Sequence, residues 1–387
     1  MNLVDDRWIP VLLPDENCTL VSLHDLYSGA EDICDLAVNP PQRVALMRLL
    51  ICITQAALDG PEDEEAWRTC KSRIASESLN YLQSWRSRFE LFGEHAFLQV
   101  PNIEVLAGKD KPIDFIDCRL ATGNNSALFD HAATGSGRHM ADAEKALVLL
   151  TFMNFSTGGK VGQAEWKAAR FSASTFAAPA VKYAHTVIRG SDLCETIHRN
   201  LLTKCAGRTS VAALPNGCWG APVWERFPSD PNDEEAFKNA YCTYLGRLVP
   251  LARLVRLDYG GDGNRCVAGP PPPHLKIEHL PAFREPWATV KQSKDGADYY
   301  LRLNSDKHMW RELGGILALS ETTHGDSRCA MPLVRLQSST DAKVDVWVGG
   351  LELGDQAGKI RDVVEWSFSL PTSLLNSSEL TCYESGV

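Results

Sequence analysis

Hydrophobic residues recur at every third or fourth position in four stretches of the first 154 residues, and this spacing predicts helices. The strongest helix begins at Pro40-Pro41, where proline suits a first helical turn, and extends to Thr54. A second is predicted to start in the acidic run 61–65, and a third to span 79–92 and end at Gly93. A fourth, buried helix is predicted over 140–154.

Strands are predicted near both ends of the chain, where apolar residues alternate or cluster between turn formers. Near the N-terminus, a run from residue 20 is expected to pass into a helix that starts at Ser22. Turns are predicted at Gly349-Gly350 and over 354–358. The remaining predicted strands are 1–10, 333–336, 344–348 and 363–370.

The composition is that of a globular protein, with 44% hydrophobic and 23% charged residues. At 387 residues, the chain fits either one large irregular domain or two intimate ones. No apolar run approaches the roughly 18 residues that a membrane span needs. The acidic pair Asp5-Asp6 stands where a signal peptide would be basic. We therefore expect a cytoplasmic protein, with no export and no membrane.

Sequence motifs of catalysis and metal binding are missing. The chain has no G-x-x-x-x-G-K-[ST] loop, no H-E-x-x-H and no G-x-S-x-G, and its twelve cysteines form no C-x-x-C pair. Gly261-Asp262-Gly263 starts like a dinucleotide fingerprint, but the third glycine is lacking. We therefore predict no catalytic residue, metal or cofactor. An enzyme whose site is assembled from residues distant in sequence is the alternative.

The net charge of −10 argues against a general nucleic-acid coat, because non-specific binding depends on neutralising phosphates. Charge is nevertheless segregated. Residues 158–209 hold eight Lys and Arg against three acidic residues, a local balance of +5. This segment is either a local site for a polyanion or an ordinary solvated face.

Six stretches occur in a characteristic order. They are 2–11 (NLVDDRWIPV), 94–99 (EHAFLQ), 124–131 (NNSALFDH), 158–159 (GG), 186–193 (TVIRGSDL) and 349–357 (GGLELGDQA). Read together, they resemble the large subunit (CasA family) of the type I-E CRISPR Cascade complex. The resemblance runs from residue 2 to residue 357. It implies an α+β fold of the large-subunit type, with one large irregular mixed domain over residues 1–371 and a short tail over 372–387.

The resemblance implies a non-catalytic subunit of an RNA-guided DNA surveillance complex. Such a subunit recognises the PAM in duplex DNA, wedges the strands apart and supports R-loop formation, while the guide reads the sequence. The implied partners are the crRNA-bound backbone subunits, the subunit that caps the crRNA 5′ end, the small subunits and target double-stranded DNA. The rival interpretation is a scaffold that bridges crRNA-bound subunits without reading a PAM.

The resemblance also implies site residues. The DNA-binding and PAM-binding residues would be Gly158, Gly159, Lys160, Lys276, Asp355 and Gln356. A loop that reaches DNA and the crRNA would contain Asn125, Leu128, Phe129, Asp130 and His131, and we expect it to become ordered only in the complex.

Each of these assignments has a plain alternative. Gly158 and Gly159 let the backbone approach a minor groove closely, but a glycine pair after a helix is also a common C-cap. Lys276 would insert into the groove as a finger, or lie solvated on the surface. Gln356 would stack as a wedge at a hairpin tip, or occupy an ordinary turn. Asp355 departs from the family, which has a second amide at this place, and an anion that faces DNA is unfavourable.

The family also carries a C-terminal four-helix bundle after the wedge, whereas this sequence has sixteen residues after Pro371. In this it resembles short large subunits of variant systems in which an HNH nuclease domain is joined to a Cascade subunit. No HNH motif is visible here. We therefore expect nuclease activity to reside in an HNH-bearing partner or in a recruited helicase-nuclease.

Overall fold

Helices and short strands are interspersed along the chain, which confirms the predicted α+β class. The computed structural model describes residues 1–105, 110–117, 139–171, 174–204, 218–257, 264–271, 285–292, 298–307, 316–317, 327–328, 330–335, 341–354 and 359–375.

Within those ranges the helices are α1 (Leu23–Ser28), α2 (Pro40–Ala57), α3 (Glu64–Thr69), α4 (Ile74–Trp85), α5 (Asp142–Phe155), α6 (Leu193–Arg199), α7 (Glu234–Cys242), α8 (Tyr244–Leu248) and α9 (Met331–Arg335). The strands are β1 (Ile9–Leu12), β2 (Cys18–Val21), β3 (Asp35–Leu36), β4 (Lys111–Pro112), β5 (Gly159–Lys160), β6 (Ala164–Trp166), β7 (Ala169–Phe171), β8 (Ser174–Thr175), β9 (His185–Arg189), β10 (Leu254–Arg256), β11 (Arg265–Gly269), β12 (Val290–Gln292), β13 (Asp298–Tyr300), β14 (Ser327–Arg328), β15 (Lys343–Leu353) and β16 (Ile360–Pro371).

The central element is α2, and its predicted start at Pro40 is confirmed. Asn39 caps it by accepting a hydrogen bond from the Gln42 backbone amide at 3.0 Å, while the Gln42 side chain reaches back to the Asn39 amide. The helix packs against α4, α5, α8 and β15. It is therefore buried all round, including Leu46 and Leu49 outside the predicted face.

The predicted helices around α2 are shifted in their bounds. The helix of the acidic run ends at Thr69, and a 3₁₀ turn joins it to α4. The helix predicted over 79–92 starts earlier, at Ile74, and its last turn (Arg86–Phe89) is 3₁₀. The helix predicted over 140–154 is confirmed as α5.

The strand predicted over residues 1–10 lies further along the chain than predicted. Residues before Ile9 are held in a turn, because the Asn2 amide donates to the Asp6 carboxylate at 2.7 Å. The strand β1 starts where the predicted one would end, and it pairs with β2 and β3. Ser22 does start α1, as expected, and its side chain caps the helix.

The longest strands form a three-stranded antiparallel sheet in the order β16-β15-β9. The strands predicted over 344–348 and 363–370 are confirmed, and both are longer than predicted. The prediction of a turn at Gly349-Gly350 is wrong, since both glycines lie inside β15. A β-carbon on Gly349 would lie 2.5 Å from the Trp347 ring, so glycine is required there by packing.

Of the strand predicted over 333–336, the described residues 333–335 are helical. Met331–Arg335 form the helix α9, whose Leu333 is buried in a small cluster against the sheet. A four-residue apolar run has no period long enough to distinguish a strand from a buried helical turn. The junction at 186–193 is confirmed as strand β9 followed by helix α6.

Candidate nucleic-acid interface

The predicted glycine pair lies at the base of an antiparallel ribbon that follows α5. In the ribbon β5 pairs with β8, with Gly159 opposite Thr175, and β6 pairs with β7. The two-residue turn Lys167-Ala168 closes the tip. The ribbon is anchored on its side by a reciprocal backbone pair between Glu104 and Glu165, at 2.8 and 2.7 Å.

The two glycines are required for different reasons. A β-carbon on Gly158 would lie 3.1 Å from the Ala177 amide nitrogen and 3.2 Å from the Thr175 oxygen, so it would press on the opposite strand. Gly159 has φ +124°, a conformation that L side chains rarely adopt, and a β-carbon there would meet nothing within 4 Å. Gly159 therefore lies at an open surface, whereas Gly158 packs closely against the opposite side of the ribbon base.

The helix C-cap alternative for this pair does not hold. Ser156 is the C-cap residue of α5, with extended backbone angles of −61° and 128°, and its amide donates to the Phe152 oxygen. The helix has therefore ended before the glycines begin.

A buried arginine supports the ribbon base from beneath. Arg253 is 1% exposed, and its Nη2 donates to the carbonyl oxygens of Thr157 at 2.8 Å and of Phe176 at 2.9 Å. Its Nη1 donates to the Ala252 oxygen at 2.6 Å. Burial lowers the pKa of Arg253 to about 10, so the guanidinium stays charged at neutral pH. One side chain thus binds both strands of the ribbon at the level of the glycines.

An aromatic side chain is exposed beside the glycine pair. Phe176 is 58% exposed, although phenylalanine is usually buried. Its backbone is fixed by Arg253 and lies against Gly158, where a β-carbon would be 3.5 Å from the Phe176 carbonyl carbon. An exposed aromatic on a fixed backbone can pack against a sugar or a base.

Sequence reasoning missed both Arg253 and Phe176. Phe176 is a single aromatic among small residues (174–178), and that is the signal that could have marked it as exposed. Arg253 stands in an apolar run (248–255), where a lone charge indicates a buried structural role or a functional one.

The basic segment 158–209 contributes less free charge than its composition suggests. Of its side chains that the structure describes, Lys167 forms no ion pair with another described residue. The others are paired: Arg170 with Glu165, Arg189 with Asp35, Arg199 with Glu195 and Asp341, and Lys204 with Asp59. The free cation is therefore at the ribbon tip, whereas for Lys160 the structure describes the backbone position in β5.

The remaining predicted site residues lie outside the described residues. For the wedge, the flanking strands are in place: β15 and β16 pair up to Leu353 and Ile360, and the Gly354 amide donates to the Lys359 oxygen at 2.9 Å. The predicted residues outside the described ranges are Asn125, Leu128, Phe129, Asp130, His131, Lys276, Asp355 and Gln356.

Neither a membrane-spanning helix nor a metal site is found among the described residues. No helix there is long and apolar enough to cross a membrane. No group of three or more His, Cys, Asp or Glu there could hold a metal ion.

The sequence matches the family model of the CRISPR-associated protein Cse1 over residues 2–386. It is 29% identical over 328 residues to the CRISPR-associated protein CasA/Cse1 of Thermus thermophilus. That match covers 82% of this chain and 60% of the relative. The chain thus spans about 60% of the length of that curated relative.

The fold is shared with solved structures at low sequence identity. Thermus thermophilus CasA (Cse1) superposes with a TM-score of 0.74 at 22% identity, covering 100% of this chain and 79% of that one. Thermobifida fusca Cse1 superposes with a TM-score of 0.79 at 21% identity, covering 98% of this chain and 75% of that one. A chain of a CRISPR RNA-guided surveillance complex superposes with a TM-score of 0.75 at 18% identity, covering 96% of this chain and 76% of that one.

The resemblance seen in the six ordered stretches is thereby confirmed, and the chain belongs to the Cse1 (CasA) family of CRISPR-associated proteins.

Proposed function

We propose that this chain is the large subunit of a type I-E Cascade complex in a prokaryotic cytoplasm, and that it has no catalytic activity of its own. It recognises a PAM in duplex DNA, separates the strands and supports the R-loop. Family membership supports this proposal, as does the shared fold with a chain of an RNA-guided surveillance complex. Its partners are the crRNA-bound backbone subunits, the subunit at the crRNA 5′ end, the small subunits and target DNA.

The observation that carries PAM reading is the geometry at Gly159. Its backbone lies at an open surface, its φ excludes most side chains, and Arg253 holds the flanking carbonyl groups from the buried side. Backbone amides presented in this way can reach base edges in a minor groove. The minor groove distinguishes A·T from G·C and little else, so we expect a permissive PAM.

The other parts of the site belong to the same proposal. Gln356, beside Asp355, is the wedge between the two long strands of the β15–β16 hairpin. Lys276 is the finger, Lys160 adds a cation beside the glycines, and the loop of residues 125–131 meets the crRNA and DNA. Cleavage is supplied by an HNH-bearing partner or a recruited helicase-nuclease.

The deciding experiment compares Gly159→Ala with Gly93→Ala in a reconstituted complex. Gly93 is a matched control, because it has φ +112° and likewise nothing within 4 Å of an added β-carbon. We expect Gly159→Ala to weaken binding to PAM-bearing duplex by about tenfold, which is the value of one base contact. Binding to a single-stranded target complementary to the guide should be unchanged.

The rival scaffold function predicts a different result. If both variants discriminate PAM-bearing from PAM-less duplex as well as the wild type does, the glycine pair does not read the PAM. The chain would then be a bridge between crRNA-bound subunits.

A further inference from the structure

A cavity of about 320 Å³ lies at the tip of the ribbon, away from the glycine pair. Its wall is formed by Arg88, by the ribbon tip, by the segment 94–102, which contains the EHAFLQ stretch, and by the segment 224–229. The volume is at the lower end of the range for small-ligand sites, about 300–1,000 Å³. It therefore suits one small group rather than a folded segment.

Two of the three charged side chains of the wall, Arg88 and Lys167, are cations. Arg88 Nη1 lies 3.3 Å from His95 Nδ1, and because a guanidinium only donates, His95 Nδ1 accepts and Nε2 carries the proton. Lys167 adds an ammonium group from the tip. Neither Arg88 nor Lys167 forms an ion pair with any other residue that the structure describes, and Glu94 is the single acidic residue of the wall. The cavity therefore favours an anion.

The rest of the wall is aromatic or apolar. Trp166 and Trp224 are buried behind it, and Phe227 is half-buried at its edge beside Pro228. Flat apolar surfaces beside cations are the combination that holds a nucleotide, because the base stacks while the phosphate binds the cations.

Backbone strain is concentrated at this cavity. Leu98 has φ 56°, and the two residues of the ribbon tip, Lys167 and Ala168, have φ 47° and 64°. Elsewhere in the described ranges a non-glycine residue has positive φ only at Glu16 and Asp59. Such backbone is unfavourable for a residue with a β-carbon and is concentrated at functional sites.

The strained turn at Leu98 is held firmly. Gln99 donates from Nε2 to the Leu91 oxygen at 2.7 Å and accepts from the Leu257 amide at 2.8 Å, so its buried amide group ties the turn to the core. Leu98 itself is 2% exposed. The wall is therefore preorganised.

We propose that this cavity binds one unpaired nucleotide of a single-stranded nucleic acid. The phosphate lies between Arg88 and Lys167, His95 Nε2 donates to it, and the base lies against the apolar wall of Phe227. This site goes beyond the proposed PAM reading. Lys167 is eight residues from Gly159 along the ribbon, so at about 3.3 Å per residue it lies within about 26 Å of the glycine pair.

The test uses the isolated full chain and short dye-labelled oligo-dT and oligo-rU strands. Arg88→Gln combined with Lys167→Gln should lower affinity about tenfold and reduce the salt slope by about 0.7, the value of one neutralised phosphate on a single strand. Phe227→Ala should also lower the affinity for both oligo-dT and oligo-rU. The matched control, Arg68→Gln with Lys343→Gln, removes the same charge from residues that do not line the cavity and should change affinity less than twofold.

Two outcomes overturn the proposal. One is an equal loss in the control pair, which would mean non-specific charge attraction. The other is oligoglutamate binding that matches oligo-dT and responds to the same variants, which would assign the cavity to an acidic peptide. Photocrosslinking of strands that contain 5-iodouracil tests the site without any variant, and crosslinks must map to 88–102, 166–168 or 224–229. Neither measurement uses duplex DNA or Gly159, so this proposal and PAM reading fail separately.

Discussion

His185 is a buried histidine that the fold keeps neutral. It is 0% exposed, its Nε2 is 2.8 Å from the Ala180 oxygen, and its ring lies edge-on to Phe155. Burial, with a further effect of the nearby Arg48 charge, lowers the pKa of His185 from 6.5 to about 4. Because the carbonyl oxygen accepts, Nε2 carries the proton.

The low pKa of His185 predicts a loss of stability in mild acid. The unfolded chain binds this proton at about pH 6.5 and the folded chain only at about pH 4, so stability is complete above pH 6.5 and falls as pH falls toward 4. Between pH 7 and pH 5 the loss should be about 2 kcal/mol. Urea unfolding of wild type and His185→Leu at both pH values measures it. The variant should lose less over this interval, while exposed His24→Gln should behave like the wild type. Equal pH dependence in His185→Leu and wild type would contradict the prediction.

Phe176 is a second residue whose surroundings predict a measurable effect. Because it is 58% exposed, Phe176→Ala should change the free energy of unfolding by less than about 0.5 kcal/mol. Binding of PAM-bearing duplex by the reconstituted complex should nevertheless weaken by fivefold to tenfold, since one aromatic contact with a base contributes about 1–3 kcal/mol. Leu20→Ala is the control, because Leu20 is also a large apolar residue at 42% exposure. Equal affinities for both variants would remove Phe176 from the interface.

At the level of elements, the ribbon depends on the two-pronged geometry of Arg253. A lysine has one ammonium group on a flexible stem and cannot bind the Thr157 and Phe176 carbonyl groups in the same fixed fork. Arg253→Lys keeps a cationic side chain but removes the fork, so it tests the geometry of the support.

Arg253→Lys should loosen the ribbon base. We expect faster amide hydrogen exchange over residues 157–160 and 174–177, and a loss of about 1.5–3 kcal/mol, the value of one hydrogen bond to a charged group. Arg265→Lys is the control, since Arg265 bonds the exposed edge of β4 and β11 through Asp110. Exchange that rises equally at distant elements in both variants would mean general destabilisation rather than a local support.

The elements predicted correctly are those with local signals. The start of α2 follows from Asn39, Pro40 and Gln42 alone, and α5 from its apolar length. Gly349 and Gly350 looked like a turn because the contacts that require glycine there come from residues distant in sequence. Gly350 has φ +148°, and a β-carbon there would lie 3.2 Å from the Tyr183 oxygen. The pairing of β15 with β9 joins residues more than 150 positions apart, which no local pattern encodes.

In the candidate site, too, some residues could be predicted from the sequence and others could not. Gly158 and Gly159 were found through family resemblance, and their surroundings give each a separate physical reason. Arg253 was missed because its acceptors are carbonyl groups about 77 and 96 residues earlier in the chain. The cavity at the ribbon tip was missed because its wall joins parts of the chain that are distant in sequence. The EHAFLQ stretch and the basic segment 158–209 each carried a signal, but no local pattern places them side by side.

At the scale of the whole molecule, a buried ionic triad joins three distant parts of the chain. Glu285 accepts from Arg48 Nη1 at 2.8 Å and from Arg247 Nε, and all three side chains are at most 3% exposed. Arg48 also donates to the carbonyl oxygens of Arg247 and Leu248, at 2.6 and 3.0 Å. The triad therefore ties α2 and α8 to the segment that begins at Glu285.

The charges of the triad depend on each other. Burial opposes ionisation of Glu285, but the positive charges of Arg48 and Arg247 outweigh it and lower its pKa. One carboxylate thus compensates two buried guanidinium groups, and Arg48 additionally lies over the Trp287 ring at 5.9 Å. Removing the carboxylate charge leaves both cations buried without compensation.

Glu285→Gln should therefore be among the most destabilising single changes in this chain, by about 3–5 kcal/mol, because an unpaired buried charge costs more than the pair contributes. Replacing all three residues by apolar ones of similar size should recover part of that loss, although the Arg247 and Leu248 carbonyl groups would then lack a donor. Urea unfolding of wild type, single and triple variants measures both values. Glu195→Gln is the control, since Glu195 is a partly exposed carboxylate paired with Arg199 alone among the described arginines. A Glu285→Gln loss below about 1 kcal/mol would show that water reaches the triad and that it does not hold α2, α8 and the following strand together.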